Sequence, residues 1–215
     1  MRNEGAVLPR LLEHLSHWRD RGCEIIIVDG ASTDGSAEMA RDQGFAVLDS
    51  LPGRARQMNS GAQATQAPNL LFLHADTRLP PEADQLVLSA LSGHRIWGRF
   101  DVTIEGRPLM LRMIGTLINL RSRLTSIATG DQAIFLRRDQ FAVLGGFADL
   151  PLMEDIELTH RLRAIGRPAC LVARVRTSGR RWETRGVWRT IFLMWTLRQA
   201  YWLGVSPARL AARYR

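Results

Sequence analysis

The run Ile25-Ile26-Ile27-Val28-Asp29-Gly30-Ala31-Ser32-Thr33-Asp34-Gly35-Ser36 constrains this chain more than any other stretch. Four consecutive β-branched residues make a strand that is apolar on both faces, as the strands of a helix-covered parallel sheet are. The strand stops at a carboxylate, Asp29, and open α/β sheets bind ligands at the carboxyl ends of their strands. Gly30 and Gly35 admit backbone conformations that other residues resist, and Ser32, Thr33 and Asp34 carry oxygens suited to capping the helix that follows. A nucleotide pocket and an ordinary capped turn would both use these residues, so the rest of the chain must choose between them.

Alternation continues along the sequence. Apolar residues at positions 7, 8, 11, 12, 15 and 18 predict an amphipathic helix over 6–21, followed by the strand at 24–29. A helix over 34–43 closed by Gly44, a strand over 45–48 and a helix over 54–67 come next. The apolar run 70–73 ends at His74-Ala75-Asp76, and Pro80-Pro81 open another helix. Regular strand and helix alternation predicts βαβ units and an α/β fold with a doubly wound, mostly parallel sheet. Beyond position 95 the pattern changes to a strand over 99–104, an apolar helix over 108–124, a strand over 133–136, a helix over 153–165 and a strand over 169–175. With 215 residues, 46% of them hydrophobic, and no linker or low-complexity stretch, the chain reads as one domain. Its parts are a nucleotide-binding half (1–95), an acceptor half (96–178) and a basic, aromatic helical tail (179–215).

All 29 basic residues are arginine, and ten of them fall in 174–215 beside a single acid, Glu183, which leaves the rest of the chain close to neutral. Interleaved with Trp182, Trp188, Trp195, Tyr201 and Trp202, this charge suits an anionic membrane surface, a phosphate-rich ligand or nucleic acid. No motif that reads nucleic acid accompanies it, so nucleic acid is not an expected partner. The apolar segment near 191–205 is interrupted by Arg198 and is short of the roughly 20 residues that span a bilayer. Cys23 and Cys170 lack metal-ligand spacing and read as reduced core residues, and no leader pattern is visible. The expected place is the cytoplasm, or the inner face of the cell membrane as a peripheral protein.

Carboxylates recur at the ends of predicted elements. Asp29 and Asp76 each end a strand, and Glu154 and Asp155 open a helix whose first turn also holds Glu157, favourable to the helix dipole. A strand-end carboxylate beside a phosphate site suits Mg²⁺ or Mn²⁺, since hard cations take oxygen ligands and share them with substrate phosphates. Asp155 is placed to act as a general base. Gly53-Arg54-Ala55-Arg56-Gln57-Met58-Asn59-Ser60-Gly61 supplies guanidinium forks and a glycine-rich helix start apt for a diphosphate.

These residues together resemble family 2 glycosyltransferases of the GT-A fold, over almost the whole length, and a small bacterial subgroup in particular. Asn3-Glu4 resembles the end of the family's opening Pro-x-x-Asn-Glu, and 28–36 resembles its nucleotide-binding turn. Asn59-Ser60-Gly61 falls where an Asn-x-Gly is common, and His74-Ala75-Asp76 takes the place of the metal-binding Asp-x-Asp. Gly145-Gly146-Phe147 matches the glycine-rich turn before the acceptor helix, and Glu154-Asp155 matches the catalytic Glu-Asp. The resemblance implies inverting, metal-dependent transfer of a hexose from a nucleoside diphosphate sugar, a UDP-sugar foremost, to a hydroxyl acceptor, with a lipid acceptor suggested by the tail. Asp155, with Glu154 beside it, would be catalytic. Asn3, Glu4, Asp29, Gly30, Ser32, Asp34, Arg54, Arg56, Asn59, Ala75 and Asp76 would hold the donor, with Asp29 on the nucleobase. Gly130, Asp131, Gln132, Arg181 and Trp182 would lie on the acceptor side, and Asp76 with His74 would face the metal.

The chain departs from the family pattern in two places. His74 stands where a first carboxylate is usual, and it reads rather as a strand-end residue hydrogen-bonded to a neighbour than as a ligand. An apolar strand precedes Asn-Glu in the family, whereas Met1 stands where that strand would end, so either the true start lies upstream, the preferred reading, or the sheet carries an unpaired edge. Rival functions are a non-catalytic module that binds nucleotide or membrane and, further off, a nucleotidyltransferase, which would need an early Gly-rich loop with a basic residue.

Overall fold

The computed structural model describes residues 1–214. Helix α1 (Leu8–Asp20) turns Leu8, Leu11, Leu12, Leu15 and Trp18 inward, as the spacing predicts. Strand β1 (Ile26–Asp29) feeds α2 (Ser36–Asp42) and returns as β2 (Ala46–Asp49), which pairs with it in parallel from Ile26 opposite Ala46 to Asp29 opposite Asp49. After α3 (Arg54–Ala64) come β3 (Asn69–Leu71), the two-residue β4 (Thr77–Arg78) and α4 (Ala83–Leu91). The second half contains β5 (Trp97–Glu105), α5 (Met110–Thr125), β6 (Phe135–Arg137), α6 (Arg138–Val143), α7 (Glu154–Ile165) and β7 (Ala169–Ser178). Helices α8 (Arg180–Arg185), α9 (Val187–Trp202) and α10 (Pro207–Tyr214) form the tail.

The α/β architecture with flanking helices and a helical tail is the expected one, and its strand pairing is more mixed than the alternation implies. A five-stranded sheet runs β3-β6-β5-β7-β4, in which only β5 and β7 pair in parallel. Gly98 shows how β6 and β7 both reach β5. A Cβ there would fall 2.4 Å from the Phe135 ring and 2.5 Å from the Ala169 carbonyl oxygen, so only glycine lets both neighbours close in. Short β4 and α6 escape prediction because neither is long enough to show a period.

β1 pairs only with β2, and β3 only with β6, among the described residues. Between β1 and β3 lie two cavities, a mainly apolar one of 490 Å³ walled by Leu8, Leu11 and Leu15 of α1 and one of 200 Å³ of mixed lining walled by Met58, Gly61 and Ala62 of α3. Met1 stands in this lane. Its amino group donates to the Val28 carbonyl at 2.6 Å, and the Gly30 N–H donates to the Met1 carbonyl at 2.9 Å, which is parallel pairing with the end of β1. The Gln57 side-chain amide donates to the carbonyls of Met1 and Val28 at 2.7 and 3.1 Å and closes the lane's mouth. Facing edges of β1 and β3 are thus unpaired among the described residues, the second of the two readings the sequence allowed.

One apolar core lies under α1 and α4 against Phe100, Val102, Phe135 and Val175, and a second joins α3, α6 and α7 around Trp97, Phe141, Phe147 and Leu158. The tail packs back on the start of α7 through Leu197 and Leu210 against Leu152, Met153 and Ile156. That contact carries tail residues to the start of α7.

Candidate active site

Residues 3–5 and the turn after β1 are stitched together. The Asn3 N–H donates to Ser32 Oγ at 2.9 Å, the Thr33 N–H to Asn3 Oδ1 at 2.8 Å, and the Gly5 N–H to Asp34 Oδ2 at 2.9 Å. Asp29 is 3% exposed, and its carboxylate accepts the Ser32 N–H at 2.8 Å and the Ser32 hydroxyl. Asp34 likewise accepts the Ser36 N–H and hydroxyl, and these bonds with the Gly5 amide hold its carboxyl below the usual range. Both carboxylates therefore shape the turn itself. Gly30 lies under Gln57: a Cβ there would meet the Gln57 amide at 2.8 to 2.9 Å and displace it from its bonds to Met1 and Val28. Asn3 and Ala31 sit at φ 53 and 60, strained backbone concentrated on this loop.

Beside the loop opens a cleft of 790 Å³ lined by residues from several separate stretches. Arg2 and Glu4 come from the start of the chain, Gly53, Arg54 and Gln57 from the start of α3, and His74, Ala75, Asp76 and Asp131 from beyond β3 and before β6. Arg180, Arg181, Trp182, Arg185, Thr190, Met194 and Tyr214 come from the tail. Five arginines face three carboxylates, so the lining is suited to a polyanion. Burial, then the charges of Arg185 and Arg54, pull Arg181 below its ordinary range, as expected of a cation crowded by its own kind. Its guanidinium stacks 3.9 Å over the Tyr214 ring. Arg180 reaches Glu4 at 3.4 Å and ties the tail to the N-terminal loop.

His74 is hydrogen-bonded to a neighbour, as read from the sequence. Its Nδ1 lies 3.3 Å from Asp131 Oδ1, and Nε2 abuts Gly130, where a Cβ would fall 2.3 Å away. Burial works against the imidazolium, but the hydrogen bond and charge of Asp131 outweigh it and raise His74 above its usual value. For Asp131 burial pushes up, and the His74 bond and charge prevail and hold it below the carboxylate range. With one ring nitrogen near Asp131 and the other against backbone, His74 is engaged, and the cleft's carboxylates beside it that could take a metal are Asp76 and Asp131. That donor set fits Mg²⁺ or Mn²⁺. Among the described residues no group of three or more His, Cys, Asp or Glu side chains gathers to hold an ion alone, so a diphosphate would supply further ligands.

Glu154 and Asp155 open α7 directly after Met153, whose φ of 72° is a left-handed strain point. They stand at the cleft's edge rather than in its lining. The Gly130 N–H donates to Asp155 Oδ2 at 2.8 Å, next to Asp131, and Glu154 lies 4.0 Å from Arg54. Burial raises Asp155 above the ordinary carboxylate value against the pull of the Gly130 and Ile156 amides. Burial and then the neighbouring Asp155 charge raise Glu154. A carboxylate tuned upward suits proton abstraction near neutrality.

Three sequence candidates lie outside the cleft lining and are engaged elsewhere. Arg56 turns to Asp149 at 2.8 Å, away from the cleft lining. Asn59 donates to the Phe147 carbonyl at 2.8 Å and accepts the Phe147 N–H at 2.9 Å, clamping α3 to the Gly145-Gly146 turn. Gln132 is fully buried, with its side-chain amide on Ser122 Oγ at 3.1 Å. Sequence reasoning missed Arg2, Gln57, Thr190, Met194 and Tyr214. Gln57 alone carried a signal, as a polar residue inside the Gly53–Gly61 run.

Comparisons with known proteins bear on the family and the fold. The glycosyl transferase family 2 model matches residues 1–143. No curated protein sequence gives a significant match. A mannosyltransferase from Pyrobaculum calidifontis, solved with GDP-Man and Mn²⁺, superposes with a TM-score of 0.64 at 18% identity, covering 93% of this chain and 59% of its own. Glucosyl-3-phosphoglycerate synthase from Mycobacterium tuberculosis, solved with Mn²⁺, UDP and glucosyl-3-phosphoglycerate, gives 0.59 at 21% identity, covering 83% and 67%. Mannosyl-3-phosphoglycerate synthase from Rubrobacter xylanophilus gives 0.56 at 17%, covering 95% and 74%. The chain thus spans about three fifths of the mannosyltransferase it matches. At these identities the structures speak for the GT-A fold alone, and on the family match the chain belongs to glycosyltransferase family 2.

Proposed function

We propose that this protein is an inverting glycosyltransferase that moves a hexose from a nucleoside diphosphate sugar, a UDP-sugar first, to the hydroxyl of a lipid-borne acceptor. The observation that carries the reading is the arginine-lined cleft bounded by Asp76 and Asp131, with the upward-tuned Asp155 held at its edge by Gly130. Residues 1–95 form the donor half, 96–178 the acceptor half and 179–215 the tail. In this reading the loop of Asn3, Glu4 and 29–34 receives the nucleoside, and Arg54 with Arg181 takes the diphosphate. A divalent cation on Asp76 would neutralise charge on the leaving diphosphate. Asp155 accepts the acceptor's hydroxyl proton as the oxygen bonds to the anomeric carbon, and the breaking carbon–oxygen bond leaves its pair on the diphosphate. Such a base must be ionised, so transfer should rise with pH through an Asp155 value above the carboxylate range.

Asp155→Asn tests this directly. Donor binding should persist while transfer falls by roughly 10²- to 10⁴-fold, the usual share of a positioned base. Full transfer by the variant would remove Asp155 from the role and pass it to Glu154.

A further inference from the structure

The geometry points to a bilayer-docking face built from α5 and α9 together, with an anionic lipid surface as its partner. It rests on the lipid-acceptor reading above for its purpose and on exposed side chains for its existence. Of fifteen large hydrophobic side chains exposed among the described residues, ten lie on these two helices and their caps, so the apolar surface is concentrated in one region. On α5, Met113, Leu117, Leu120 and Leu124 recur at helical spacing and are 51 to 77% exposed. On α9, Trp188, Phe192, Trp195 and Trp202 do the same at 57 to 66%. Ile114 of α5 packs in one cluster with Ile118, Val187 and Ile191, so the two stripes border a common seam.

Charge selects the occupant. From 107 to 129 there are four arginines and no acid, and Arg112 and Arg189 stand exposed beside Met113 and Trp188. A second copy of the chain would bring the same positive charge to the seam, whereas an anionic headgroup layer complements it. Tryptophans rimmed by arginine are suited to the boundary between headgroups and acyl chains. Among the described residues no helix is long and apolar enough to cross a membrane, and the proposed face is one that lies on the surface. The opposite side of α9 lines the cleft with Thr190 and Met194, so docking would hold the cleft one helix away from the lipid surface.

Flotation of the full chain with vesicles of phosphatidylglycerol and phosphatidylcholine, against pure phosphatidylcholine, tests the face. Binding should favour the anionic vesicles, weaken with salt and shift tryptophan emission to the blue. Trp188→Ser with Trp195→Ser, and separately Met113→Ser with Leu117→Ser, should each abolish flotation at unchanged melting temperature. Arg112→Gln with Arg189→Gln should lower it about 25-fold, at about fivefold for each cation near an anionic surface. All three variants should keep the parent's affinity for UDP. No flotation on anionic vesicles, flotation unchanged by either apolar pair, or a dimer in sedimentation that dissociates in the Trp188→Ser, Trp195→Ser variant would overturn the face. Loss of UDP binding with flotation intact would instead count against the donor site alone.

Discussion

Asn59 separates two uses of one residue. As a donor contact, its loss would weaken nucleotide binding and leave the fold alone. As the clamp seen in the structure, its loss strips partners from both the Phe147 N–H and the Phe147 carbonyl, at 2.9 and 2.8 Å. A hydrogen bond contributes about 0.5–1.5 kcal/mol net, and a buried group left unsatisfied costs about 1–3 kcal/mol. Phe147 is 3% exposed and locked among Phe72 and Phe141 at ring separations of 4.9 and 5.6 Å, so the freed groups cannot turn easily to water. Asn59→Ala should therefore cost about 2–3 kcal/mol. For a domain of this size each kcal/mol moves the melting temperature by about 2–4 °C, which puts the expected drop at about 4–12 °C. Thermal melts read the first quantity and calorimetric titration with UDP below the melting range reads the second. A melting temperature within a degree of the parent, with UDP affinity reduced tenfold or more, would refute the clamp and restore Asn59 to the donor site.

The His74 and Asp131 pair should make stability depend on pH. His74 is raised in the folded state, so its contribution is complete below the unfolded value of about 6.5 and is lost as pH rises through the folded one. Asp131 is lowered, so its contribution is present above about 3.9 and is lost as pH falls through the folded value. Because the Asp131 side chain is 51% exposed, solvent screening keeps the effect under about 1 kcal/mol. His74→Ala should flatten the melting temperature between pH 6 and 8, and an unchanged slope would place the titration elsewhere. The empty lane between β1 and β3 predicts that four β-branched residues placed ahead of Met1 will stabilise the fold. Each buried aliphatic side chain contributes about 1.5–3 kcal/mol against about 1–2 kcal/mol of backbone entropy. A Ser-Asn extension of equal length should do nothing, and equal effects from both would deny that the lane accepts a strand.

Much of the first half was readable because its physics is local. Ile25 to Val28 announce a buried strand by branching at Cβ, and α1 announces itself by its period. Antiparallel β6 was not readable as such: its entry depends on Gly98 clearing space for Phe135, 37 residues away along the chain. Site residues divide the same way. His74, Asp76 and Arg54, read at element ends, line the cleft together with Asp131, read from the sequence only as a residue after Gly130. Asn59 and Gln132 looked like ligand contacts because a polar side chain reads the same whether it faces a substrate or a backbone amide. Thr190, Met194 and Tyr214 reach the cleft only because the tail folds back through Leu197 and Leu210, a long-range packing that no spacing records.

The central claim is that Asp76 and the arginine cleft hold a metal-bound nucleoside diphosphate. Titration calorimetry of UDP and GDP, with and without Mn²⁺, on the parent and on Asp76→Ala tests it most directly. The account predicts binding to the parent that is strengthened by Mn²⁺, with the Mn²⁺ dependence lost in the variant. Equal, metal-independent affinity in both proteins, or no binding to the parent under any condition, would contradict it.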